Sequence, residues 1–174
     1  MALILRGNGA VTGLSSIPNN ILTDANMPSG TVLQTVSYVN TSQVIINAST
    51  VAVGTAYDTL TTASITPSSA SSKILIIASQ SYFQSGGAGA QGMGFTIQRD
   101  STEITSESRY TASYTGLTER KHGYTPLLHL DSPNTTSSVT YTIIGRHHTT
   151  QGEVRMQYSS AESPSTITLM EIAG

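Results

Sequence analysis

The stretch KILIIASQSYF at residues 73–83 decides the fold class, because it opens with an unbroken apolar run at 74–78. Successive side chains of a strand point to opposite faces, so a strand built from this run is apolar on both faces. Turn residues at 67–69 precede the stretch, and a glycine-rich loop at 86–94 follows it. Such a strand is central in its sheet, or its outer face meets another subunit.

The rest of the chain after Thr31 reads as further short strands separated by turn signals. Apolar residues that alternate with polar ones mark these strands: Val36 and Tyr38; Phe95 and Ile97; Tyr110 and Tyr114; Leu128 and Leu130; Val139, Tyr141 and Ile143; Val154 and Met156; Ile167 and Leu169. Pro126 places its strand at an edge or marks a strand start, since proline lacks the N–H that a central strand donates. The pattern predicts an all-β fold without helices, organised as a jelly-roll-type β-sandwich.

The chain has 25 Ser and 26 Thr but only 10% charged residues. Hydroxyl side chains therefore take the place of charged ones as the soluble surface. Threonine is β-branched and favours strands. A net charge of −2, with Lys73 and Lys121 the only lysines, argues against a nucleic-acid partner, because phosphate binding needs clustered Lys and Arg. No apolar run approaches the ~20 residues of a membrane span, so we expect no membrane partner. The chain has no cysteine and therefore no disulfide.

Residues 1–30 differ from the rest, being rich in Gly, Asn, Ser and Pro with apolar residues at no sustained period. We predict two parts: an extended N-terminal arm at 1–30 that becomes ordered against a partner, and a sandwich domain at 31–174. A disordered leader, or a first strand with long loops, is the alternative. The residues predicted to dock the arm are Leu3, Ile4, Leu5, Arg6 and Ile17.

Three motifs suggest chemistry but have the wrong local context. The segment at 87–92 fits G-x-G-x-x-G, yet the residues after it alternate like a strand, whereas a dinucleotide site needs a helix there. His147 and His148 would lie on opposite faces of a strand, so an ion would have to be shared between the chains of a trimer. His129 and Asp131 have no G-x-S-x-G elbow nearby and lead into a turn signature. We predict no catalytic residue, no metal, no cofactor and no enzymatic activity.

Five segments resemble virion surface proteins of tailed phages, especially those of marine and freshwater bacteria and cyanobacteria. They are MPSGTVLQ at 27–34, ITPSSASSKIL at 65–75, FTIQRDST at 95–102, LDSPNTTS at 130–137 and STITLMEI at 165–172. The resemblance implies a trimeric jelly roll similar to tumour necrosis factor, of the kind found in capsid decoration (cement) proteins and at the tips of tail or head fibres. It carries over no catalytic motif.

We therefore expect a homotrimeric decoration protein on the phage particle surface, whose arms bind the major capsid protein or a tail protein and stabilise the shell. The predicted trimer contacts, on the apolar sheet face, are Ile74, Ile76, Tyr141 and Leu169. The alternative is a tail- or head-fibre receptor-binding module that recognises host-surface glycan through loops at 86–94, 115–123 and 147–152.

Overall fold

The computed structural model describes residues 27–47, 50–85, 91–107, 113–115, 121–148, 153–157 and 163–174. The residues predicted to dock the arm, Leu3, Ile4, Leu5, Arg6 and Ile17, lie outside these ranges. Every regular element within the ranges is a strand. They contain no helix long and apolar enough to cross a membrane.

Eleven strands make up the described part of the chain. They are β1 (Val32–Asn40), β2 (Ile45–Asn47), β3 (Ala56–Ile65), β4 (Lys73–Ser85), β5 (Gln91–Arg99), β6 (Thr102–Glu103), β7 (Ser113–Thr115), β8 (Lys121–Asp131), β9 (Val139–His147), β10 (Glu153–Arg155) and β11 (Ser165–Ile172). The predicted strand at 73–83 is β4, and a turn at residues 100–101 connects β5 to β6. Its residue Asp100 has a φ of 52°, a left-handed conformation that Asp tolerates.

The strands form two antiparallel sheets. In the first sheet the order is β1-β11-β4-β8, with β10 pairing β4 beyond the end of β11 and β2 pairing β10. In the second sheet the order is β3-β9-β5, with β6 and β7 both pairing β5. Leaving out β10 and β2, which extend the first sheet beyond the end of β11, and the two-residue β6, eight strands remain, numbered one to eight along the chain. Their order is 1-8-3-6 in one sheet and 2-7-4-5 in the other, which is the double Greek key of a jelly roll. The predicted fold class is confirmed.

The core lies between the two sheets and takes alternate residues from each long strand. From the first sheet it includes Ile74, Ile76 and Ala78 of β4 and Ile167 and Leu169 of β11, all buried. The second sheet contributes, among others, Met93, Phe95, Ile97, Val139, Tyr141 and Ile143. β4 has β8 on one side and β11 and β10 on the other. It is therefore a central strand, as its apolar run predicted.

The four residues predicted as trimer contacts belong to this core. Ile74, Ile76, Tyr141 and Leu169 are all 0% exposed within the single chain. They point into the space between the sheets, so they offer no surface to another copy while the sandwich is intact. The residues next to them on β4 and β11 face the outer side of the sheet, because neighbouring side chains of a strand face opposite ways.

The strand connections divide the sandwich into two ends, here called the arm end and the loop end. At the arm end the Gly30 N–H donates to the Ala173 carbonyl over 2.8 Å, and the Ala173 N–H donates to the Thr31 carbonyl over 2.8 Å. Residues 28–31 thus already contact the sandwich. At the loop end, pairing joins Gln84 to Lys121, Met93 to His147, and β7 to the start of β5. The end of β4, the start of β5, the start of β8 and the end of β9 therefore lie together at the loop end.

Candidate functional site

The glycine-rich motif at 87–92 leads into a strand. Gly92 and Gly94 lie in β5, which pairs with β7 and β9. Residues 86–90 are outside the described part of the chain. A dinucleotide site places a helix N-terminus against the pyrophosphate, and β5 occupies the position where that helix would begin. The expectation of a strand after the motif is confirmed.

His147 and His148 face in different directions, as the strand period predicts. The His147 side chain is fully buried, with its ring centroid 6.4 Å from that of Tyr57. His148 lies on the outer side of the second sheet, where its Nε2 contacts the Glu107 carboxylate. Glu153, the next carboxylate along the chain, accepts a hydrogen bond from the Arg155 guanidinium. Among the described residues, no three His, Asp or Glu side chains are arranged to hold a metal ion.

Asp131 connects the two sheets through side-chain hydrogen bonds. The Arg99 guanidinium on β5 donates from Nη1 to both carboxylate oxygens of Asp131, over 3.0 and 2.9 Å, and the Tyr141 hydroxyl on β9 donates over 2.7 Å. Burial, followed by the nearby Asp131 carboxylate, raises the pKa of Tyr141 well above its ordinary value. Tyr141 therefore stays protonated and keeps donating. The hydrogen-bond partners of the Asp131 carboxylate are thus Arg99 and Tyr141 of the second sheet, while His129 pairs along the strand with Ile76, and we call the cluster of Arg99, Asp131 and Tyr141 the clamp.

Glu171, at the arm end of β11, is the centre of a second cluster of polar side chains. Its carboxylate accepts hydrogen bonds from Gln34 Nε2 over 2.6 Å and from the backbone N–H and hydroxyl of Ser68, both over 2.7 Å. Burial alone raises the pKa of Glu171, but the hydrogen bonds from Gln34 and Ser68 outweigh burial, so its pKa lies below the usual value. The carboxylate thereby holds the β3–β4 connection against β1.

A Glu171→Gln variant should lose stability in a pH-dependent way. A carboxylate with a lowered pKa contributes its full stability above its unfolded-state pKa, near 4.5, and loses that contribution as the pH falls through the folded-state pKa. We expect a deficit of about 1–3 kcal/mol at pH 7, the usual worth of hydrogen bonds to a charged group. Melting curves from pH 7 to pH 3 should show the gap between wild type and variant closing in acid. A gap that is constant with pH would contradict the role given to Glu171.

Strands β8, β4 and β11 carry an apolar surface on the outer side of the first sheet. It consists of Leu75, Ile77, Leu128, Leu130 and Met170, here called the outer apolar row. Pairing sets Leu75 between Leu130 and Met170, and sets Ile77 beside Leu128. The exposed fractions are 71% for Leu128, 50% for Leu130 and 42% for Ile77. The row therefore places large apolar side chains in water.

The outer side of the second sheet is mostly polar, with Leu60 on β3 a single large apolar side chain that is 42% exposed. Thr62 and Thr142 share a hydrogen bond between their hydroxyls over 2.9 Å, and Ser64 and Thr140 share one over 2.7 Å. Nearby, Arg146 pairs with the Glu103 carboxylate. Hydroxyls in cross-strand pairs and ion pairs suit a solvated face. Among the described residues, the outer face of the first sheet is thus the one that carries a row of adjacent large apolar side chains in water.

Sequence reasoning missed the clamp, and for the trimer contact it named four residues that are buried between the sheets of the single chain. Residues 73–83 did predict that β4 is apolar on both faces, and Pro126 did favour an edge position, which β8 occupies in the first sheet. The sequence signal that could have identified the outer apolar row is the pattern of β8, where Leu128 and Leu130 alternate with His129 and Asp131.

Comparisons with known proteins give structural likenesses alone. No protein-family model matches the chain, and no curated protein matches it. Among solved structures, a chain of infectious bursal disease virus, Gx strain, is 18% identical with a TM-score of 0.44, and the match covers 82% of this chain and 39% of that chain. The VP2 subviral particle of the same virus is 17% identical with a TM-score of 0.43, over 82% of this chain and 38% of that one. The present chain thus spans about two fifths of the viral chains it resembles.

A third likeness involves a different kind of protein. Dimeric latent PorU from Porphyromonas gingivalis is 10% identical with a TM-score of 0.33, over 87% of this chain and 14% of that one. The fold assignment comes from the strand order, which makes the chain a jelly-roll β-sandwich protein.

Proposed function

We propose that this chain is a structural protein of a virus particle, specifically a homotrimeric capsid decoration protein of a tailed phage. The observation that carries the structural role is the outer apolar row on one side of the jelly roll, where Leu128 alone is 71% exposed. Monomeric soluble proteins rarely leave large apolar patches uncovered. A subunit of an assembly covers them with its neighbours.

The assignment to a phage particle rests on the sequence resemblance. Three of the five similar segments are regular parts of the sandwich: 65–75 leads into β4, 95–102 is the hairpin of β5 and β6, and 165–172 is β11. The resemblance therefore includes segments that build both sheets and the core. It supports a virion surface protein in preference to other jelly-roll proteins.

The two ends of the sandwich suit the decoration role. The chain enters the sandwich beside Ala173 at the arm end, while Lys121 and His147 lie at the loop end. Arms that leave from one end let a trimer place three weak contacts on the same shell, which multiplies the affinity of a single arm. Because the arm binds the assembled shell alone, its binding raises the free energy needed to open the capsid.

Deleting residues 1–25 should leave a folded trimer that no longer binds particles. The deletion ends before Met27, the first described residue, and leaves intact the hydrogen bonds between Gly30, Thr31 and Ala173. Co-sedimentation with particles that lack the native protein measures the binding, with full-length protein as the control. Full-length protein should sediment with the particles and the shortened protein should stay in solution. Undiminished binding of the shortened protein would refute the arm.

A receptor-binding module on a tail or head fibre is the second candidate. The observation in its favour is that the end of β4, the start of β5, the start of β8 and the end of β9 lie together at the end of the sandwich opposite the arm. Such a cluster suits a binding face for host glycan. Copy number separates the two roles, because a decoration protein is present in hundreds of copies per particle and a fibre tip in far fewer. Densitometry of purified particles on a gel measures it.

A further inference from the structure

We propose that the outer apolar row is the surface through which copies of this chain contact one another, with β8 nearest to the neighbouring copy. This inference rests on the proposed homotrimer and names the residues that form it. The row replaces the buried residues that the sequence suggested for the same contact. It lies on β4 and β8 at the positions directly next to the core residues.

The edge position of β8 is the first argument. β8 has eleven residues and pairs with β4 along its length, and no other described strand pairs with it. An exposed apolar edge strand of this length is a template for aggregation unless something covers it. Pro126 removes a backbone N–H donor from this strand at one position only. A neighbouring copy against β8 would protect both the edge and the apolar side chains.

The chemistry of the row is the second argument, and it favours a second copy over a different partner. None of its five residues is charged, and Tyr124, 49% exposed, extends it along β8. The centres of protein interfaces are depleted of charge and enriched in aromatic residues. An uncharged apolar surface is complementary to itself, whereas a charged ligand would require fixed countercharges. Lys73 and Lys121 lie at opposite ends of the two strands, outside the row.

The place of the row in the fold is the third argument. The row lies on a side of the sandwich, between the arm end and the loop end. Copies joined along their sides leave both ends free, so three arms can reach one surface while the loop ends face away from it. A contact through either end would instead block the arm or the loops.

A charge in the row should dissociate the assembly without unfolding the chain. We expect wild type to have a native mass three times the chain mass of 18.3 kDa, and Leu128→Asp to have the mass of one chain with an unchanged β-sheet circular-dichroism spectrum. The concentration at half dissociation should rise roughly 100-fold or more, because a charge would be buried without a partner. Ser64→Asp, at an exposed position on the other sheet, is the matched control and should remain a trimer.

A second variant covers the case in which Leu128→Asp fails to fold. The chain has no cysteine, so Leu128→Cys supplies a unique thiol beside its equivalent in the next copy. A short bis-maleimide should then cross-link chains at Leu128→Cys and leave Ser64→Cys as single chains. A trimeric Leu128→Asp, an absent cross-link, or a monomeric wild type whose row is covered by its own residues 1–26 would each overturn the inference.

The outcome of these tests is separable from that of the proposed function. A trimer insensitive to Leu128→Asp that still binds particles would remove this contact and keep the decoration role. Assembly that depends on Leu128, in a protein absent from particles, would keep the contact and remove the role. A dimer that Leu128→Asp dissociates would keep the row and replace the threefold arrangement.

Discussion

Ile76→Asp is expected to prevent the chain from folding. Ile76 is 0% exposed and lies among core residues of both sheets. A carboxylate there would be buried without a partner, at a cost above about 4 kcal/mol. That cost removes much of the ~5–15 kcal/mol by which a typical domain is stable. We expect no cooperative thermal transition and a loss of the β-sheet circular-dichroism signal.

The neighbouring residue supplies the control. Ile77→Asp places the same charge one position further along β4, where the side chain is 42% exposed on the outer apolar row. This variant should keep the β-sheet spectrum and a cooperative transition, while losing the contact between copies. A folded, soluble Ile76→Asp would show that β4 is assigned to the wrong register.

Asp131→Asn should destabilise the chain by weakening the connection between the two sheets. The substitution keeps the size of the side chain but removes the charge that engages Arg99 and Tyr141 across the two sheets. Leaving partly buried donors with a neutral partner costs about 2 kcal/mol, less than a fully buried ion pair because the Arg99 side chain is 28% exposed. Urea unfolding at pH 7 measures the loss.

Glu153→Gln is the matched control for the clamp. Glu153 also pairs with an arginine, Arg155, but both side chains are about one third exposed. An exposed pair of this kind contributes at most ~1 kcal/mol, so the midpoint of unfolding should hardly move. If Asp131→Asn were no more destabilising than Glu153→Gln, the clamp would not join the sheets.

The strands were predictable because their signals are local. The apolar run at 74–78 predicted a central strand, and β4 is central. Pro126 favoured an edge position, and β8 forms an edge of its sheet. The two-residue period placed His147 and His148 on different faces. In each case the relevant interaction lies within a few residues, where a backbone preference or an alternation records it.

The outward side of β4 and the clamp were not predictable, because both depend on which strands become neighbours. β4 is apolar on both faces, and nothing within residues 73–83 distinguishes the inner Ile76 from the outer Ile77. Only the second sheet, which packs on one face, decides this. Arg99, Asp131 and Tyr141 come together from three strands of two sheets, so no spacing along the chain marks them.

The proposed decoration role requires that many copies of this chain are built into each virus particle. An electron-microscopy map of the whole particle tests this most directly. We expect trimers of the jelly roll on the shell in hundreds of copies, with the arm ends on the capsid protein and Leu128 of each copy facing its neighbours. A complete particle map that contains no density for this chain would contradict the account.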